Sequence, residues 1–161
     1  MTQDAEITAA FWHSLRSDRT VMLGSEKAQP TSLRPMHTQL EGDEDHGPIW
    51  FFTSTDAALV QDLVTEDLAL FTFVSKGHDI FATVHGHLTR SHDRAMIDRL
   101  WNADVAVWYK NGKEDPNLAL LRFDPARAEI WRDGSGLLAG LKLLLGGDPQ
   151  AGSGVAKVSL E

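Results

Sequence analysis

Thr53 and Ser54 stand side by side at the end of an apolar run, IWFFTS over residues 49–54, and lead into TDAALVQDLV. In that second segment Leu59, Val60, Leu63 and Val64 fall on one helical face, with Thr55 or Asp56 as the expected cap. A strand that ends in hydroxyls at the mouth of a helix offers an anion both donors and the positive end of the helix dipole. Arg34, on a preceding extended segment, adds a planar guanidinium suited to phosphate. The same residues also fit a plainer purpose, ending a strand and capping a helix, and the pattern alone leaves both open.

Two further groups have chemistry in them. His85 and His87 alternate along an extended segment and so face one side, with Ile80, Ala82, Val84 and Leu88 on the other. A metal needs three or four convergent ligands, and no carboxylate stands at ligand spacing within that strand, so the pair is read as lining a polar face, an interface or a ligand edge. Trp101, Trp108, Tyr109 and Trp131 could flank a flat heteroaromatic ligand. Trp101 lies on an apolar helix face and is assigned to packing. Trp108 and Tyr109 sit in a polar loop, where ligand contact and packing are both open.

Several elements must position these residues. Residues 4–17 repeat apolar side chains at helical spacing, and 20–25, 31–40, 48–53, 68–76, 79–90, 117–123 and 127–131 read as strands. Pro35 cannot donate to a ladder, so its segment belongs at an edge or bulge. The GH at 77–78 reads as a hairpin turn, the DPA at 124–126 as a turn, Ser91 as the cap of a helix carrying Met96, Ile97, Leu100 and Trp101, and 102–116 as an irregular loop. The Leu-rich stretch 137–145 is expected to dock on the domain or a partner. The polar, Gly-rich residues 146–161 read as a flexible tail. About seven strands with short connections and a few helices make a mainly β fold of the α+β kind, a small barrel or sandwich.

The totals narrow the functions. The 161 residues suit one domain, and 15 basic against 23 acidic residues give a net charge of −8, which argues against a nucleic-acid surface. The absence of cysteine removes disulfides, thiolate metal sites and a Cys nucleophile. The first residues, MTQDAEIT, are polar and acidic, and the longest apolar run is about half of the roughly 20 residues that span a bilayer. A cytoplasmic protein is expected, with neither membrane nor nucleic acid as partner.

Taken together, LRPM (33–36), IWFFTS (49–54), VHGHLTRSHD (84–93), LW (100–101), VWYKNGKEDPNLALLRF (107–123) and AEIW (128–131) resemble, in order, the general stress protein branch of the pyridoxamine 5'-phosphate oxidase-like FMN-binding split-barrel superfamily. The resemblance covers residues 5–133. It implies a six- to seven-stranded antiparallel split β-barrel with flanking helices over 1–145, and a homodimer with FMN in clefts between subunits. It places Arg34 at the FMN phosphate, Pro35 and Met36 beside the isoalloxazine, and Phe52, Thr53 and Ser54 along the ring and ribityl chain. Trp131 matches an aromatic near the flavin edge, and the loop with Trp108 and Lys110 matches one that approaches from the second subunit. It implies flavin-dependent oxidoreductase capacity without indicating a substrate or a catalytic residue; His37, His85 and His87 are candidate proton carriers.

One stretch departs from the family pattern. Where relatives carry Ser, a small or basic residue and then Lys, this chain has Ala57, Ala58 and Leu59. A charge-assisted hydrogen bond contributes about 1.5–3 kcal/mol, so its loss weakens FMN binding by about one to two orders of magnitude. The alternative expectation is therefore a non-catalytic split-barrel module that binds FMN weakly or not at all.

Overall fold

A computed structural model describes residues 2–28, 30, 32–134, 144–146 and 153–161. Helix α1 (Gln3–Ser17) is followed by strands β1 (Thr20–Ser25), β2 (Arg34–Gln39) and β3 (Ile49–Ser54), the short helix α2 (Ala58–Gln61), β4 (Glu66–Val74) and β5 (Ile80–Ser91). Helices α3 (Arg94–Leu100) and α4 (Ala103–Ala106), a 3-10 turn (Gly112–Glu114), β6 (Leu118–Arg132) and β7 (Gly154–Ser159) complete the order. The strands form one sheet in the order β3-β2-β1-β4-β5-β6-β7, and β3 also pairs with β6. That last pairing closes the first six strands into an antiparallel barrel, the expected fold.

Period-two alternation sorts the side chains. On β5 the residues Ile80, Ala82, Val84 and Leu88 are buried, while Phe81, Thr83, His85 and His87 between them are partly exposed. The barrel is filled by Leu23, Phe51, Phe71, Phe73, Phe123 and Ile130. Helix α1 adds Ile7, Phe11, Trp12 and Leu15, all essentially buried. Phe11 stands edge-on to Phe73 with centroids 6.1 Å apart and stacks near Phe71 at 6.5 Å. Each such ring withdrawn from water contributes about 1.5–3 kcal/mol. Pro35 lies opposite Met22 of β1, whereas β2 pairs with β3 only at Thr38 and Gln39, so the proline sits where that edge is free.

Four local expectations are corrected. Residues 124–126 do not turn the chain: β6 runs unbroken through them, with a register shift opposite His85 and Gly86. Pro125 is tolerated because it lies between the stretch that pairs with β3 and the stretch that pairs with β7. A Cβ on Gly86 would stand 2.3 Å from the Asp124 carbonyl oxygen, so the bulge requires a glycine there. Ser91 remains in β5, and Asp93 caps α3 by accepting from the Met96 amide at 3.2 Å. Residues 102–116 hold α4 and a 3-10 turn rather than an irregular loop.

Finally, part of the expected tail is a strand: β7 pairs with β6 from Arg127↔Ser159 to Arg132↔Gly154 and buries Ala156. Most of the Leu-rich stretch 137–145 lies outside the described residues. Among the described residues no helix is long and apolar enough to cross a membrane.

Candidate functional site

Strands β2 and β3 have an outer face as well as an inner one. Trp50, Phe52 and Ser54 point away from the barrel, where α3, α4 and the loop after it cover them. A second apolar cluster forms there from Trp50, Ile97, Leu100, Val105, Tyr109, Leu118 and Leu120. Phe52 meets Trp101 edge-on at 5.9 Å, and Trp101 lies 6.1 Å from Tyr109. This agrees with Trp101 as a packing residue.

Asn102 fixes α4 over this face. Its side-chain oxygen accepts from the Val105 amide at 3.1 Å, and its amide nitrogen donates to Gln39 Oε1 of β2 at 3.1 Å. One residue thus caps the helix and ties it to the sheet. The loop end is held by Arg94, which donates to Glu114 at 2.6 Å and to the Lys113 carbonyl at 3.1 Å.

Between the two layers a cleft of about 540 Å³ remains open, within the range of small-ligand and cofactor sites. Seven of the nine sequence-predicted positions line it, Arg34, Pro35, Met36, Phe52, Thr53, Ser54 and Trp108, although Trp108 does so from within the same chain where the resemblance implied an approach from the second subunit. Lys110 and Trp131 do not. Lys110 is exposed on the loop beyond the cleft, and Trp131 lines a separate hollow with Phe81, Arg132 and Val155.

Sequence reasoning missed Thr20 and Gln39 in the lining, and it missed Asp104 and Val105 because α4 was not legible as a helix. Tyr109, noted only as a loop aromatic, is a wall of the cleft. Burial raises its hydroxyl above the usual value of 10.0; a hydrogen bond with the Ser54 side chain works against this, and the Asp115 charge adds to it.

The anion end differs from the expected strand–helix mouth. Helix α2 spans only four residues, and its cap is Ala57, which provides no side-chain hydrogen bond. Leu59 packs with Ala57 and Leu63 against the barrel core. The cationic group left to meet an anion is Arg34, whose side chain makes no ion pair or hydrogen bond among the described residues and is exposed at the cleft rim. The cleft therefore combines flat aromatic walls with one unpaired guanidinium, an arrangement suited to a planar ligand with an anionic arm.

The histidines divide between separate partners. His85 Nδ1 lies 2.5 Å from Glu26 and His87 Nδ1 lies 2.8 Å from Glu66. Among the described residues, no group of three or more His, Asp or Glu converges as a metal site would require.

The fold is a split barrel with an open, aromatic-walled cleft on its outer face. The chain matches the family described as Pyridoxamine 5'-phosphate oxidase like over residues 6–146, and it belongs to that family. It is similar to a general stress family protein of Xanthomonas campestris pv. campestris, at 51% identity over 86% of this chain and 94% of that one, with a TM-score of 0.79. A general stress FMN/FAD binding protein of Xanthomonas citri is 52% identical over 83% of this chain and 94% of that one, with a TM-score of 0.78. General stress protein 26 of Jannaschia is 30% identical over 96% and 99% of the two chains, with a TM-score of 0.81. No curated protein matches the chain.

Proposed function

We propose that this chain is an FMN-binding flavoprotein of the general stress type, with flavin-dependent oxidoreductase capacity. The observation that carries the reading is the cleft, in which Pro35, Phe52, Trp108 and Tyr109 offer flat surfaces and Arg34 offers an unpaired guanidinium at the rim. The Xanthomonas citri relative, half identical in sequence, is described as binding FMN or FAD. In this reading Pro35 and the aromatic walls would hold the ring system, Thr53 and Ser54 would bind the ribityl chain, and Arg34 would hold the phosphate. A bound flavin supplies hydride or electron transfer, while the chain binds it, orients it and excludes water from one face.

Lys110 and Trp131 enter this reading through a second subunit. Val107 and Trp108 are 79% and 80% exposed and Trp131 is 39% exposed, a large apolar area for one chain to leave in water. A twofold dimer that carries the partner subunit's Trp131 and Lys110 to this cleft covers these surfaces and completes the nine positions. Sedimentation at micromolar concentration should give a dimer; a monomer in the presence of FMN contradicts this part. A cytoplasmic location is part of the same proposal.

The second reading is a split-barrel module without catalysis that holds FMN weakly. The packing of Leu59 into the core favours it, since that side chain supplies no charge to the phosphate. The two readings separate on one titration. The purified protein should be yellow, and added FMN should lose fluorescence on binding. A colourless protein that leaves FMN fluorescence unchanged at high micromolar concentration rules out the first reading.

A further inference from the structure

Arg34 also lines a second hollow, of about 490 Å³, between β1, β2 and α2. Its floor is Leu23 and Leu88, both closed to water, and Ala58, Leu59 and Leu63 wall it. One side is set by close contact. A Cβ on Gly24 would stand 2.4 Å from the Ser32 carbonyl oxygen, so β1 and the chain entering β2 are held together there. Four charged residues border the hollow, Lys27, Arg34, Asp62 and Asp67, and they are not equivalent. Lys27 is committed: its Nζ is 2.7 Å from Asp67 and 2.9 Å from the Asp62 carbonyl oxygen. A positive charge is thus already stationed beside Asp62. Arg34 has no ion pair or hydrogen bond among the described residues, so its charge is the one left without an opposite.

We infer that this hollow is a binding site for a medium-chain aliphatic monocarboxylate, whose chain lies on the leucine floor and whose carboxylate meets Arg34. The lining sets the class of ligand. A leucine-walled hollow rewards apolar chain, since each buried methylene adds to binding in proportion to the area withdrawn from water. The planar guanidinium matches the two oxygens of a carboxylate. The unpaired Asp62 carboxylate on the same border repels a second negative charge, so a monoanion fits better than a phosphate monoester. A cationic head meets Arg34 and Lys27 together and is disfavoured. Because Arg34 lines the cleft as well, one guanidinium serves two sites. An occupant of the hollow therefore competes with the phosphate arm of a ligand in the cleft. The monocarboxylate site is independent of the flavin reading; the competition rests on it.

The test is calorimetric titration of the full chain, free of flavin, with butanoate, hexanoate, octanoate and octylamine. Affinity should rise about fourfold for each methylene added to the carboxylate, and octylamine should bind at least about tenfold more weakly than octanoate. Ala58→Trp, which fills the hollow from an exposed position, should abolish octanoate binding and leave riboflavin binding unchanged. Asp62→Asn, also at an exposed position, should tighten octanoate. In a second titration, octanoate at about ten times its own Kd should weaken FMN about tenfold and riboflavin by less than about twofold. Failure of octanoate to bind, affinity independent of chain length, octylamine binding as tightly, or octanoate binding that survives Ala58→Trp overturns the site and leaves the flavin reading standing. Octanoate that binds as expected while FMN affinity stays unmoved overturns the shared use of Arg34. Octanoate that binds as expected to a protein that takes neither FMN nor riboflavin supports the site and removes the flavin reading.

Discussion

The inner and outer faces of β2 and β3 are made from alternate residues of the same short strands, yet they are built to different ends. Inward, Ile49 and Phe51 disappear completely into the core. Outward, Pro35, His37, Phe52 and Ser54 line an open cleft in which a guanidinium has no partner. The inner face is closed to water; the outer face leaves space and, at its rim, the Arg34 guanidinium without a partner among the described residues. A strand pair that stabilises on one side and stays unfinished on the other is the arrangement expected where a ligand completes the structure.

The comparison can be broken first from the inside. Phe11→Ala, which removes a ring packed between Phe71, Phe73 and Trp12, should cost about 3–5 kcal/mol of stability in urea denaturation. A loss below about 1 kcal/mol would mean that α1 does not plug the barrel.

On the outside, Leu59→Lys should tighten FMN binding by about tenfold or more, by returning an ammonium to the neighbourhood of Arg34, with a modest loss of stability from the core contact. No tightening would place the phosphate out of reach of residue 59.

The smallest effect is one of pH. Because burial holds the Tyr109 hydroxyl above its unfolded value of 10.0, the folded state favours the neutral phenol. That contribution is complete below pH 10.0 and is lost as pH rises through the higher folded value. Tyr109→Phe should flatten this alkaline decline in stability; an unchanged slope would mean that the phenol is not buried against Ser54.

The inner face was also the more legible one in the sequence. Alternation in β5 and the helical spacing of α1 follow from burial on one side, and burial is written in the residue types. The cleft was legible where it lies on those strands, at Arg34 to Met36 and Phe52 to Ser54, since fixing the strand fixes the face. It was illegible where the backbone is set by interactions between elements. Ser91 and Asp93 are equally good caps on paper, and the pairing of Ser91 with Leu120 decides between them. Asp-Pro-Ala suits a turn or a bulge, and the decision comes from β5 running alongside without a break. Residues 154–159 form a strand because β3 stops pairing with β6 at Phe123, which leaves the edge of β6 from Arg127 onward to be covered. Asp104 and Val105 reached the cleft unannounced because the Asn102 bond to Gln39 bridges residues far apart in sequence.

The central claim is that Arg34 marks the phosphate end of a flavin cleft. Titrating the wild type and Arg34→Ala with FMN and with riboflavin tests it most directly, because riboflavin has the same ring and ribityl chain without the phosphate. Loss of one charge-assisted contact of about 1.5–3 kcal/mol should weaken FMN by about 10- to 100-fold, while riboflavin changes by less than about threefold. Equal losses for both ligands, or no loss for FMN, would contradict the account.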